Sequence, residues 1–337
     1  MEKVYKTHRV SAGSNVHHFR TGIPISIGVD ITSYMKSQRA SGLIIVHKDN
    51  IRLEEYALGY GNSGRWESFS IAKSITSTLL GAAVQDGFIR SLNDTVATYL
   101  PGLKGSVYDS VSVRQLLTMT SGVRWNEDYL NPESDAVRLR LHHPLAGTDT
   151  TVSYMRQLPR ESPPGARWVY KTGETNLVGV LVSHVTGKSL STYLAEKIWK
   201  PYGMERAAEW ELDDLGAEMG GCCLSASLRD YARFGQFILG GAMIAGKSIV
   251  PGDWLGQATS KQVEIGSPGH GYGYQWWTND DGSFQAVGIF GQCIFIDPHR
   301  QLVIATSANW PSATDATLAL SRSVFFTAVQ AAIDARK

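Results

Sequence analysis

Segments with strand character lie near both ends of this chain, and the segments between them are patterned as helices. The β-rich runs Leu43–His47 and Ile51–Tyr56 are joined by a short polar turn, which predicts a hairpin. Strand character returns late in the chain, in Tyr272–Thr278, Phe284–Ile289, Cys293–Ile296 and Leu302–Thr306. An amphipathic helix is predicted from Thr314 to Arg336. This order favours an α/β (α+β) fold, with an antiparallel sheet flanked by helices and an inserted all-helical region.

The same order predicts two domains. Residues 1–85 and 224–337 would form a discontinuous sheet domain, and residues 86–223 a helical domain. Helices are predicted within the second domain at Val113–Met119, Asn176–Val185 and Leu190–Trp199. The polar, aromatic stretch Arg124–Arg140 is predicted to be a loop that lines a cleft. Because clefts between domains are favoured ligand sites, we expect the functional residues there.

The helix predicted to start at Ser70 carries a serine and a lysine one turn apart. Its apolar residues recur every four positions on one face, and Asp86-Gly87 ends the pattern. Since its other faces are also apolar, the helix is predicted to be buried, where Lys73 needs a partner or a chemical role. A serine hydroxyl becomes a good nucleophile when a nearby base removes its proton. Taken alone, the motif is also explained by a serine N-cap followed by a solvated lysine.

Two later segments could complete a catalytic site with this helix. The hydroxyl of Tyr170 could exchange protons with the serine and the lysine if the positive charge lowers its pKa. The run Ala286–Gln292 contains two glycines, so its backbone could approach a ligand and supply an N–H to an oxyanion hole. A half-buried structural tyrosine and a glycine-containing core strand are the alternative interpretations.

The order of these motifs resembles that of the serine β-lactamase and penicillin-binding-protein superfamily. Ser70-x-x-Lys73 is followed about 100 residues later by a tyrosine, and then by a glycine-rich strand near the end. Further matching stretches are Leu92–Val96, Val113–Gly122 and Arg229–Gly235. The likeness covers Ile44 to Asn309. Within the superfamily, Phe69–Ser74 and Val287–Gln292 look most similar to the 6-aminohexanoate-dimer hydrolases and β-lactamase-fold esterases.

The resemblance implies a serine hydrolase that forms an acyl-enzyme with a carboxylic ester or a linear amide and needs no cofactor. It implies that Ser70 is the nucleophile and that Lys73 and Tyr170 carry its proton to the leaving group. The N–H groups of Ser70 and Ile289 would form the oxyanion hole. Substrate contacts are expected from Trp125, Tyr129, Asp135, Trp276 and Gly288.

Two stretches depart from the family pattern. Ala286-Val287-Gly288 stands where β-lactamases and D,D-peptidases carry Lys or His, then Thr or Ser, then Gly. The cation and the hydroxyl that hold a substrate carboxylate are therefore missing. Tyr170-Lys171-Thr172 also has threonine where asparagine is expected. Both departures argue against strong β-lactam turnover, and neither affects the nucleophile or its base.

Other functions stay open at this stage. They are β-lactamase or D,D-peptidase activity, acyl transfer to an alcohol or amine on the same fold, and ligand binding without catalysis. No serine lies in G-x-S-x-G, so the α/β-hydrolase nucleophile elbow is absent. The histidine pairs His17-His18 and His142-His143 lack metal-ligand spacing, so no metal is expected.

The charge balance, the apolar segments and the cysteines of the sequence indicate which partners and which compartment to expect. Thirty-two basic and 31 acidic residues give a formal net charge of +1, which favours neither nucleic acid nor a membrane surface. We expect a small-molecule ester or amide as the partner, and the oligomeric state stays open. The N-terminal residues lack an apolar signal segment, and no apolar stretch long enough to span a membrane is evident, so the protein is predicted to be cytoplasmic.

Adjacent cysteines are poorly arranged for an ordinary disulfide, so Cys222, Cys223 and Cys293 are predicted to be small buried apolar residues.

Overall fold

The computed structural model describes residues 5–144 and 147–335, and strands from both ends of the chain meet in one large sheet. In chain order the strands are β1 (Thr7–Val10), β2 (Arg20–Thr21), β3 (Ala40–His47), β4 (Asn50–Tyr56), β5 (Arg65–Glu67), β6 (Ala208–Glu211), β7 (Leu224–Ser227), β8 (Met243–Ile244), β9 (Lys247–Ser248), β10 (Val263–Glu264), β11 (His270–Tyr272), β12 (Trp277–Asn279), β13 (Phe284–Val287), β14 (Cys293–Asp297) and β15 (Leu302–Ala308).

Helices precede, separate and follow these strands. The α-helices are α1 (Ile31–Ser37), α2 (Ile71–Gln85), α3 (Val96–Tyr99), α4 (Val113–Leu117), α5 (Asp135–Arg140), α6 (Thr150–Met155), α7 (Thr172–Thr186), α8 (Leu190–Leu194), α9 (Lys200–Tyr202), α10 (Leu228–Leu239), α11 (Trp254–Ala258) and α12 (Ala316–Asp334). Short 3₁₀ turns lie at Pro101–Leu103 and Val107–Ser110, and a π-helical turn at Ala195–Trp199 joins α8 to α9.

The large sheet has the strand order β10-β11-β12-β13-β14-β15-β3-β4-β2, and its neighbours are antiparallel except for β2 and β4. Strand β15 from the end of the chain pairs with β3 from its beginning, which places Ile304 opposite Ile45. Successive side chains of a strand point to opposite faces, so Ile44 and Val46 join one hydrophobic core while Leu43 and Ile45 join the other. The predicted antiparallel sheet flanked by helices is therefore confirmed.

Helix α12 covers one face of the sheet. Its buried side is apolar, with Phe325, Phe326, Val329 and Ile333 packed in the core that contains Leu43 and Ile45. By length and composition alone this 19-residue helix could also cross a membrane, which the sequence analysis did not anticipate. A third of its apolar window is buried inside the protein, and core helices of soluble proteins pass the same test, so the finding is weak evidence for a membrane span.

The middle of the chain is not entirely helical, which corrects one prediction. Strand β6 lies within residues 86–223, where only helices were expected, and it pairs with β1 and β7 in a second sheet of order β1-β6-β7-β5. Helix α2 packs against α7 beside this sheet. The second sheet therefore combines β1, β5 and β7 from the predicted sheet domain with β6 from the predicted helical domain. The domain boundaries at residues 86 and 223 stay a prediction.

Three further segments differ from their predictions. The stretch predicted as one strand, Tyr272–Thr278, is divided between β11 and β12, because Gln275 has a positive φ and turns the chain between them. The predicted loop Arg124–Arg140 ends in α5, which Ser134 caps through the N–H of Val137. The closing helix is confirmed over Ala316–Asp334, and its predicted end at Arg336 lies outside the described residues.

The cysteine prediction was wrong for two of the three residues. Cys222 and Cys223 form a disulfide between neighbours in the sequence. Cys223 adopts a positive φ of 72°, which is uncommon for a residue other than glycine. Cys293 is free and buried, as predicted.

Candidate active site

Ser70 lies at the start of α2, where the chain leaves a sharp turn. Phe69 before it has a positive φ of 44°, and the Ser70 side chain is largely buried, with 8% of the residue exposed. Helix α2 is rich in serine and threonine, yet its first three turns are buried. Burial is tolerated because these hydroxyls donate to backbone carbonyls of neighbouring segments. For example, Ser74 donates to Gln275 O at 2.6 Å and Thr76 to Gly220 O at 2.6 Å.

Lys73 is one turn further along the same face of α2 and is almost completely buried. Its amino nitrogen Nζ lies 3.2 Å from Ser70 Oγ and donates to Gly221 O at 2.7 Å. Within residues 5–144 and 147–335, no carboxylate lies at ion-pair distance from this nitrogen. Burial lowers the pKa of Lys73 to about 8, and the charge of Glu127 opposes that shift. A substantial fraction of Lys73 is therefore neutral at mildly alkaline pH.

Tyr170 faces the same two side chains. Its ring centroid lies 5.1 Å from Lys73 Nζ, and its hydroxyl is close enough to the Ser70 side chain for the two to interact. The ring stacks on Trp277 with centroids 5.6 Å apart, and Trp168 and Tyr272 contact it at their edges. Burial raises the pKa of Tyr170, and the charge of Glu127 raises it further. The expectation of a lowered pKa was therefore wrong, and Tyr170 is a neutral phenol.

The end of β13 closes the site from the other side. The N–H of Gly288 donates to Gln292 O at 2.8 Å, and the N–H of Phe290 donates to Gln292 Oε1 at 3.1 Å. The N–H groups of Ile289 and Ser70 have no acceptor in the part of the chain that the structure describes. A Cβ on Gly288 would lie 2.8 Å from Ser68 O, so only glycine lets this strand end approach the segment before Ser70.

A cavity of about 240 Å³ begins beside this group. Phe69 and Ile289 form its inner end, and Trp125 and Tyr129 form one wall. A second cavity of about 410 Å³ shares Arg140 and other lining residues with it, so the two are adjacent. Because Phe69 precedes Ser70 in the chain, a space large enough for a small organic substrate lies next to the serine.

Two of the residues predicted to contact substrate lie elsewhere. The carboxylate of Asp135 accepts hydrogen bonds from the N–H of Asn126 at 2.7 Å and from the hydroxyl of Tyr154 at 2.8 Å, so it holds the loop together. Trp276 is 1% exposed and stacks on Phe234 in the core. Trp276 and Trp277 are neighbours whose side chains point in different directions, and Trp277 is the one beside Tyr170. Trp125, Tyr129 and Gly288 lie at the cavity or the strand end, as expected.

Glu127 is a residue that the sequence analysis missed. Its carboxylate accepts the N–H of Thr172 at 2.9 Å and further hydrogen bonds from the side chains of Thr172, Tyr129 and Trp125. It therefore ties the loop after Val123 to the start of α7, two residues beyond Tyr170. The sequence pattern Trp125-x-Glu127-x-Tyr129 could have indicated it, because in an extended segment these three side chains, each with a polar group, point to the same side.

Comparison with known proteins finds a family match and several similar hydrolases. The family model described as Beta-lactamase matches residues 30–325. The 6-aminohexanoate-dimer hydrolase of Paenarthrobacter ureafaciens is 28% identical over 305 residues, which cover 84% of this chain and 76% of that protein. A solved structure from Bacillus anthracis, provisionally assigned as a 6-aminohexanoate-dimer hydrolase, has a TM-score of 0.83 and 25% identity, covering 96% of this chain and 90% of the other.

A more distant structure shares the fold alone. A family VIII carboxylesterase has a TM-score of 0.69 at 16% identity and covers 93% of this chain and 99% of its own. The shared fold, the family match over most of the chain and the hydrolase names of these relatives agree with the resemblance stated from the motifs. The chain belongs to the beta-lactamase family.

Proposed function

We propose that this protein is a serine hydrolase that forms an acyl-enzyme on Ser70 with a carboxylic ester or a linear amide. The observation that carries the proposal is the buried amino group of Lys73, 3.2 Å from Ser70 Oγ, with its pKa lowered to about 8. A neutral amine at this position can accept the serine proton as the hydroxyl attacks a carbonyl carbon. Burying a lysine is unfavourable unless it has a partner or a chemical role, and the side chain beside this one is the nucleophile's hydroxyl.

Tyr170 then completes the proton path. Its neutral hydroxyl lies beside the Ser70 side chain, and its raised pKa keeps its own proton in place until Lys73 can supply another. It passes the proton that Lys73 receives to the departing alkoxide or amine, and regains it from the same lysine. Water later enters, gives a proton to the same pair and releases the acyl group from Ser70.

Backbone donors stabilise the negative charge of the tetrahedral intermediate. The N–H groups of Ser70 and Ile289 are free of internal acceptors among the described residues. They are fixed by the start of α2 and by the bonds of Gln292 on either side of Ile289, so they need no rearrangement during the reaction. Such donors typically contribute about 3 kcal/mol each to transition-state stabilisation.

The substrate class follows from the cavity and the relatives. The cavity is lined by apolar and aromatic side chains and also by charged ones, among them the ion pair of Arg140 with Glu211, 4.0 Å apart. An acyl chain with a polar end fits a cavity with both kinds of lining. The relative named as a 6-aminohexanoate-dimer hydrolase supports a linear amide or a related ester as the substrate.

Covalent labelling tests this proposal. Incubation with a short-chain p-nitrophenyl ester is expected to give product and an acyl adduct in the intact mass, and Ser70→Ala is expected to give neither. Ser74→Ala, on the same helix, serves as the matched control and should still form the adduct, because Ser74 Oγ is engaged with Gln275 O. An adduct that persists in Ser70→Ala, or equal turnover by both proteins, would show that another group is the nucleophile.

The pH dependence of hydrolysis is a further prediction. Only neutral Lys73 can accept the serine proton, so kcat/KM should rise with pH through an apparent pKa near 8. The charge of Glu127 raises the pKa of Lys73, so Glu127→Gln should shift this rise to lower pH. Rate profiles of the wild type, Glu127→Gln and the exposed control Glu133→Gln would measure the shift. A rise that moves to higher pH in Glu127→Gln would contradict the assignment of Lys73 as the titrating base.

A further inference from the structure

The wall of the cleft carries three side chains that the hydrolytic chemistry does not use. Cys222, Cys223 and Glu67 line the cavity of about 240 Å³ that begins beside Ser70. Sγ of Cys222 lies 3.9 Å from Oε1 of Glu67. The carboxylate oxygen and the two sulfurs all lie within 4.8 Å of one another. Two sulfurs and one carboxylate that converge on a solvent-connected cavity form a donor set for a soft metal ion.

We propose that, after reduction of the Cys222–Cys223 disulfide, the two thiolates and the Glu67 carboxylate bind a thiophilic divalent cation such as Zn²⁺ or Cd²⁺. A dithiol reductant breaks the S–S bond: each sulfur gains one electron and one proton, and the reductant becomes a disulfide. The cation then forms two metal–sulfur bonds and displaces the two thiol protons to solvent. The disulfide form holds no cation, because its sulfurs are bonded to each other.

The spacing suits a tetrahedral ion. Metal–sulfur bonds of about 2.3 Å and metal–oxygen bonds of about 2.1 Å place neighbouring ligand atoms roughly 3.5 Å apart. The 3.9 Å between Cys222 Sγ and Glu67 Oε1 is close to that separation. The two sulfurs must move apart to a similar separation after the disulfide opens, and Cys222, which is half-buried at the cavity wall, is the side chain that can rotate. The three residues line the cavity, so water from the cavity would supply the fourth ligand.

The backbone around the two cysteines is held independently of their sulfurs. The N–H of Cys222 donates to Met219 O at 3.1 Å, and the indole N–H of Trp210 donates to Cys222 O at 3.0 Å. Cys223 O accepts the N–H of Glu211 at 3.0 Å. These bonds persist when the disulfide opens, so the two thiols stay next to Glu67. In residues 5–144 and 147–335, the Glu67 carboxylate has no N–H or O–H donor, which leaves its lone pairs for a cation.

A bound cation would change the catalytic cleft. Cys223 and Ile289 line the same cavity, and Gly221, one residue before the cysteines, holds Lys73 through its carbonyl at 2.7 Å. The ion and its water occupy space that an acyl chain needs. This consequence rests on the proposed function, and metal-loaded protein should then hydrolyse esters more slowly than the disulfide form.

Cadmium binding tests the site without relying on turnover. Protein reduced with dithiothreitol and freed of reductant under nitrogen would be titrated with Cd²⁺, and the thiolate-to-cadmium charge-transfer absorbance would be followed. One equivalent should saturate the signal, and the disulfide form should show none. Glu67→Gln should keep the signal but raise the Kd roughly tenfold or more, since even changes around metal ligands have effects of that size.

Cys293→Ser is the matched control, because this free cysteine is buried away from the cavity. It should bind Cd²⁺ like the wild type, whereas Cys222→Ser/Cys223→Ser should not. Equal signals in the double variant and the wild type would overturn the proposal, and so would no signal in reduced protein with three counted thiols. An unchanged Kd in Glu67→Gln would remove Glu67 from the site. Because absorbance reports binding alone, none of these outcomes depends on whether Ser70 is a nucleophile.

Discussion

Replacing Lys73 with methionine is expected to lower kcat/KM for an ester by roughly 10³-fold, because the variant has no base beside the nucleophile. Methionine has nearly the length of lysine, carries no charge and fills the same buried space. Lys73 makes no ion pair with a carboxylate among the described residues, so its removal leaves no uncompensated charge behind. The free energy of unfolding should therefore stay the same or increase, since a buried charge that lacks a partner is unfavourable.

A second buried lysine provides the control for this prediction. Lys171 is fully buried, donates to Val169 O at 3.2 Å and experiences the charge of Glu174. Lys171→Met removes a lysine whose surroundings include a buried carboxylate, so we expect it to lower stability more than Lys73→Met and kcat/KM far less. Urea denaturation and ester kinetics on both variants give the comparison. Loss of stability without loss of activity in Lys73→Met would mean that Lys73 has a structural role.

The features predicted best from the sequence are those with a regular period or a specific spacing. The β-rich run Leu43–His47 and the four-residue repeat after Ser70 predicted β3 and α2, because both segments carry enough apolar residues to show that they are buried. The spacing of Ser70, Lys73 and Tyr170 predicted three side chains that the structure brings together at the cleft. Their catalytic roles stay a proposal.

What the sequence did not predict depends on contacts between distant segments. The direction of the pKa of Tyr170 is set by burial among Trp168, Tyr272 and Trp277, and no local pattern contains that information. Strand β6 was missed because its four residues are too few to show an alternating pattern of apolar and polar side chains. Cys222 and Cys223 were predicted from the general rarity of disulfides between adjacent cysteines, and the positive φ of Cys223 that accompanies their bond has no signature in the sequence.

Gly122→Ala is expected to lower the free energy of unfolding by about 3 kcal/mol, the largest single-residue effect on stability that we predict. Gly122 has a φ of +72°, which costs an alanine roughly 1–2 kcal/mol. A Cβ at this position would also overlap the carbonyl oxygen of Ser162, and such overpacking costs a further 1–3 kcal/mol or so. The carbonyl of Gly122 accepts the N–H groups of Glu161 and Ser162 at 2.8 and 3.0 Å, so neither segment can move away without losing these bonds.

Gly105→Ala separates the two contributions. Gly105 has nearly the same φ, +75°, but a Cβ there would meet no heavy atom within 4 Å, so its substitution should cost only about 1–2 kcal/mol. Chemical denaturation of both variants and the wild type measures the difference. Because Gly122 leads directly to Trp125 at the cavity, Gly122→Ala should also raise the KM for an ester, whereas Gly105→Ala should leave it unchanged. Equal destabilisation by the two substitutions would mean that the contact with Ser162 relaxes, and that backbone conformation alone requires glycine at position 122.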